Sequence, residues 1–153
     1  MSDELRELYQ EVILDHGRHP RNFQRPDDAN REAHGNNPLC GDTLTVWLTY
    51  RDSVVADVGF EGRGCAISMA SASLMTEILK GKSESEAETL FERFRAMVSG
   101  AGGMTDDGRD DVEADKLRVL AGVRDYPMRV KCATLAWHTM KAALHGEDRT
   151  TTE

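Results

Sequence analysis

The chain has 153 residues, 39% of them hydrophobic and 30% charged, a size and balance that suit one globular domain and exclude a disordered chain. Its net charge of -8, from 19 basic and 27 acidic residues, argues against nucleic acid or an anionic membrane as the main partner. No apolar run reaches the length of a membrane span, and the opening MSDELRELYQ is too charged for a secretory signal, so the expected location is cytoplasmic.

In chain order, Leu5, Leu8, Tyr9, Val12 and Ile13 recur at helical spacing. A helix is expected from Ser2 or Asp3 to a stop at Gly17. Residues 18–38 are rich in proline and Asx and read as a long loop with room for one short strand. TLTVWLTY then alternates Leu44, Val46, Leu48 and Tyr50 with threonines and Trp47. SVVADVGFE alternates Val54, Ala56, Val58 and Phe60, so the two runs form an antiparallel hairpin around Arg51-Asp52. GRGC breaks the second strand. AISMASASLMTEILKG reads as a helix with a stripe of Ile67, Ala70, Leu74 and Ile78, ended by Gly81.

Ser83 and Glu86 offer a capping box for a helix with Leu90, Phe91, Phe94 and Val98 on one side. A glycine-rich acidic loop, SGAGGMTDDGRDD, and a short helix from Leu117 to Ala121 follow. After Tyr126-Pro127 a last helix runs from about Met128 to His145, with Ala133, Ala136, Trp137, Met140 and Leu144 inward. The order gives an α+β fold, a small antiparallel sheet packed against a layer of helices. One domain spans 1–146, and a polar tail over 147–153 is expected to fray.

The three cysteines, Cys40, Cys65 and Cys132, are too few and too odd in number for a disulfide framework, and no CxxC pair is present. Buried thiols acting as small hydrophobes are one reading. The other starts from position: each cysteine lies at an element boundary. Cys65 opens a helix and Cys132 sits early in one, where the helix dipole favours thiolates. Asp42 follows Cys40 by two residues, so both can point to one side of a strand entrance. Three thiolates and a carboxylate are a fitting ligand set for zinc or an iron–sulfur cluster. Such a set is strongly anionic, and Arg63, Arg129 and Lys131 lie beside the cysteines in sequence. The histidines, His16, His19, His34, His138 and His145, show no ligand spacing and read as structural or surface residues.

DHGRHPRNF, NNPLCGD, FEGRGCAISMASAS and YPMRVKCATLAW, in that order, resemble the SufU branch of the IscU/NifU-type iron–sulfur assembly proteins. The resemblance runs from about Leu5 to Leu144. It implies the α+β fold and, as metal ligands, Cys40, Asp42, Cys65 and Cys132. Lys131 stands where scaffold-type members carry histidine, and the segment between Cys65 and Cys132 is longer than theirs. Both features resemble the SufU branch, although Gly17 departs from its usual aromatic. The implied function is a zinc-dependent sulfurtransferase that accepts persulfide sulfur from a pyridoxal-phosphate (PLP)-dependent cysteine desulfurase and supplies a downstream cluster scaffold. The alternative is a scaffold building a two-iron two-sulfur (2Fe-2S) cluster on the same ligands. Cys40, on the end of the long loop, is the expected sulfur acceptor, with Arg129 beside the persulfide. The segment from Lys82 to Tyr126 is expected to contribute to the partner surface.

Overall fold

The computed structural model describes residues 3–99 and 116–151; most of the glycine-rich acidic loop lies outside them. The elements are helix α1 (Asp3–Arg18), strands β1 (Arg31–Asn37), β2 (Asp42–Arg51) and β3 (Val54–Arg63), and helices α2 (Ala66–Leu79) and α3 (Glu84–Val98). A 3-10 helix (Arg118–Asp125), helix α4 (Pro127–Leu144) and strand β4 (Arg149–Thr151) complete the chain. The α+β class is as the sequence suggests, and the strand order is β3-β2-β1-β4.

The sheet is mixed rather than purely antiparallel. β1 and β2 pair antiparallel from Arg31↔Leu48 to Asn37↔Asp42, but β4 runs parallel to β1. β1 is faint in sequence because its inward positions are Ala33, Gly35 and Asn37, a pattern with little apolar contrast. The tail expected to fray instead supplies β4, in register from His34↔Arg149 to Asn36↔Thr151.

The β2–β3 hairpin turns at Asp52 and Ser53, one residue later than expected. Both have positive φ, 53° and 62°, the geometry whose twist matches paired strands. A bulge opposite Thr49 and Tyr50 then shifts the phase of β3. Val55 therefore points into the core, while Ala56 is exposed.

α2 is buried on nearly every side, not along one stripe, because α1, α4 and β3 all pack on it. Ser71 and Ser73 find partners within it. Ser71 Oγ donates to the Ala133 carbonyl at 2.5 Å and accepts from Trp137 Nε1 at 3.2 Å. Ser73 Oγ lies 2.7 Å from His16 Nδ1 and accepts the Arg21 N–H at 2.8 Å. His16 is thus a structural histidine, only 7% exposed. The Ser83–Glu86 capping box forms as expected, and Phe94 stacks on Trp137 at 5.0 Å. These contacts lock α2 and α4 together with their thiol-bearing N-terminal ends side by side.

Candidate metal centre

The β1–β2 turn brings the first two candidate ligands to the helix ends. Asn37 and Asp42 are the last pair of the ladder, and Cys40 N–H donates to the Asn37 carbonyl at 3.3 Å across the turn. Gly41 closes it at φ 71°, a left-handed value that suits glycine. Asp42 is fully buried. Its Oδ1 accepts the Cys65 N–H at 3.0 Å and its Oδ2 accepts from Asn37 Nδ2 at 3.1 Å. A Cβ on Gly64 would stand 2.5 Å from Asp42 Oδ1. Glycine is required there for the carboxylate to reach the start of α2.

Cys65 is the N-cap of α2, and its sulfur accepts the Ser68 N–H at 3.5 Å. Pro127 opens α4 at a position that needs no N–H, and Cys132 follows in the second turn, fully buried. The Cys132 thiol donates to Cys40 Sγ at 3.2 Å, and Asn37 Nδ2 stands 3.5 Å from Cys132 Sγ. The donor atoms of Cys40, Asp42 and Cys132 all lie within 4.8 Å of one another. Cys65 stands beside this group but outside it, with its sulfur engaged in capping. All four expected ligands converge on one end of the molecule, three of them tightly.

The dipole of α4 favours a thiolate at Cys132, and its burial works against one. Burial pushes its thiol far up, and hydrogen bonds to Cys40 and Asp42 and the charge of Cys65 act in the same direction. A cation beside it would favour the thiolate. Of the three bases named from sequence, Arg129 faces the thiols: a hydrogen bond with Cys132 first, then the nearby cysteines, raise its guanidinium's pKa further. Arg63 is exposed at the end of β3, and Lys131 is half-buried on α4.

The residues present fit a divalent metal of borderline softness. They provide closely grouped sulfur and carboxylate donors, a buried carboxylate shaped by the missing Cβ of Gly64, and hydrogen bonds that orient ligands from outside. A bound cation also reverses the cost of the buried thiolate. Sequence reading missed Asn37 and the reason for Gly64. Asn37 reads as a turn former because it precedes Pro38; the one available hint was its place in the same short motif as Cys40 and Asp42.

Glu84, Glu88 and His145 form a second group of donors. Here Tyr50 O–H donates to Glu84 at 2.7 Å, and His145 pairs with Glu88 at 2.5 Å. These partners explain the cluster as a tie between β2, α3 and the end of α4. Among the described residues no helix is long and apolar enough to cross a membrane.

Residues 8–133 match the NifU-like N-terminal domain family. The zinc-dependent sulfurtransferase SufU of Bacillus subtilis is 37% identical over 141 residues, 92% of each chain. The iron–sulfur cluster assembly scaffold protein IscU of Streptococcus pyogenes is 36% identical over 92% of this chain and 84% of its own. Among solved structures, a proposed SUF-system scaffold protein of Fervidobacterium islandicum superposes with a TM-score of 0.78 at 31% identity, covering 94% of this chain and 99% of the other.

Proposed function

The chain belongs to the NifU-like N-terminal domain family, and from that premise we propose that it serves iron–sulfur cluster assembly as a zinc-dependent sulfurtransferase. The observation that carries the reading is the grouping of Cys40, Asp42 and Cys132 within 4.8 Å, with Arg129 facing the thiols. Cys40, Asp42, Cys65 and Cys132 would hold the metal, Cys65 by turning its thiol away from the cap. Zinc, when bound, keeps ligating thiols deprotonated without redox chemistry of its own.

The chain's residues then divide the work. Asp42 and Cys132 hold the buried side of the centre. Cys40, partly exposed in the turn, is the nucleophile. Its thiolate attacks the terminal sulfur of a persulfide carried by a PLP-dependent cysteine desulfurase. A new S–S bond forms on Cys40 as the partner's S–S bond breaks, and the partner's cysteine leaves as a thiolate. The electrons balance without an external oxidant. Arg129 counters the charge of the new persulfide, which passes on to a downstream scaffold.

A scaffold holding a 2Fe-2S cluster on the same residues is the second reading, favoured by the name of the Streptococcus relative. Lys131, in place of a histidine beside Cys132, weighs for the first. Anaerobic purification with metal and sulfide assays separates them. Zinc without sulfide, together with stimulation of desulfurase turnover, supports the transferase. Iron with equimolar sulfide on the freshly isolated protein refutes it.

A further inference from the structure

Asn37 is a fully buried carboxamide at the end of β1. Buried amides need hydrogen-bond partners, and those of Asn37 include two of the candidate ligands. Its Nδ2 donates to Asp42 Oδ2 at 3.1 Å and to Cys132 Sγ at 3.5 Å, an ordinary length for a sulfur acceptor. One side chain thereby joins the first residue of β2 to the second turn of α4. The amide has two N–H groups, one for each acceptor, and both bonds strengthen when the acceptors are anionic.

Cys65 is anchored separately, by the Ser68 N–H. Cys40 differs. Its sulfur accepts a hydrogen bond from the Cys132 thiol, and the residue lies partly exposed in the turn. Asn37 ties Asp42 and Cys132 to each other, while Cys40 is held by the backbone hydrogen bond across its turn.

We propose that Asn37 is a positioning residue that fixes Asp42 and Cys132 as the permanent half of the metal centre and so leaves Cys40 as the exchangeable ligand. The inference rests on the zinc-dependent reading above and adds the source of its asymmetry. Without the amide, Cys132 loses the side-chain donor that ties it to Asp42. Cys40 and Cys132 then compete to leave.

The test loads the full chain with one equivalent of zinc and treats it with limiting iodoacetamide. Mass spectrometry maps the modified cysteine, and a chromogenic chelator reports released zinc. In the native chain Cys40 is expected to react at least about tenfold faster than Cys132, with zinc retained after the first modification. In Asn37→Ala, and in the nearly isosteric Asn37→Asp, the preference should collapse and zinc should leave with the first modification. Asn37→Ser keeps one donor and should fall between; it also decides the matter if the other two fail to fold, as judged by melting of the zinc-free proteins. An unchanged preference for Cys40 in a folded variant overturns the inference while leaving the sulfurtransferase reading intact. A native chain that shows the Asn37-dependent order but takes no sulfur from a desulfurase sinks that reading and leaves the inference standing. A native chain that binds no zinc ends both.

Discussion

Cys40 and Cys132 are 3.2 Å apart, and the fold holds them in opposite ways. Cys132 is fully buried on a helix whose next turns carry Ala133 and Trp137 into the core. Cys40 is partly exposed in a four-residue turn closed by Gly41. A core side chain is over-determined by packing, whereas a turn residue is held by little more than its own backbone. The difference teaches how a metal centre can be both stable and reactive: the helix side supplies permanence and the turn side supplies exchange.

The comparison is broken most drastically by removing one partner at a time. Cys132→Ala should abolish tight zinc binding, and Cys40→Ala should keep measurable zinc but accept no sulfur. Elemental analysis and a desulfurase turnover assay read the two. Equal zinc loss in both variants would erase the distinction drawn here.

Zinc removal comes next. A site absent from the unfolded chain links binding to folding. Chelation should lower the melting temperature by several degrees, at about 2–4 °C per kcal/mol for a domain of this size. An unchanged melting curve after verified removal would mean that core packing alone stabilises the helix side.

A smaller effect is expected at Gly64. In Gly64→Ala the new methyl would lie 2.5 Å from Asp42 Oδ1, so the carboxylate must move. Zinc affinity should drop about tenfold, the low end for disturbing a ligand's support, while circular dichroism stays unchanged. Competition titration against a chelator measures it.

Much of this was readable in the sequence, for definable reasons. The helices of Leu90 to Val98 and Ala133 to Leu144 carry apolar stripes, and the Ser83–Glu86 cap is a local signal. The four candidate ligands sit in short motifs. What stayed hidden depends on partners far away in the chain. β1 shows little apolar contrast because its inward positions include Gly35 and Asn37. The tail becomes β4 only because β1 offers an edge. The bulge at Tyr50 moves Val55 inward, which strict alternation does not foresee. Asn37 reaches Cys132 across 95 positions and His16 reaches Ser73 across 57, distances over which no local pattern speaks.

The smallest predicted effect lies away from the thiols and serves as their control. Burial holds His16 below the usual histidine value of 6.5; Arg21 and Lys116 act in the same direction, and Glu77 and Asp15 oppose them. A depressed folded-state value means that the unfolded chain binds the proton more tightly. The contribution of His16 is therefore full above 6.5 and is lost as pH falls through the folded value. His138, likewise lowered by burial, adds to the same slope. His16→Asn should flatten part of the decline in stability below that pH, without altering zinc content. A slope unchanged in the variant would remove His16 from the account.

The most direct measurement is the location of the transferred sulfur. The zinc-loaded protein is mixed with its desulfurase and cysteine, quenched by alkylation and mapped by mass spectrometry. The account predicts the added sulfur on Cys40, with Cys65 and Cys132 unmodified. Sulfur found on Cys132 would contradict it, because the buried, helix-held thiol would then be the one that leaves the metal.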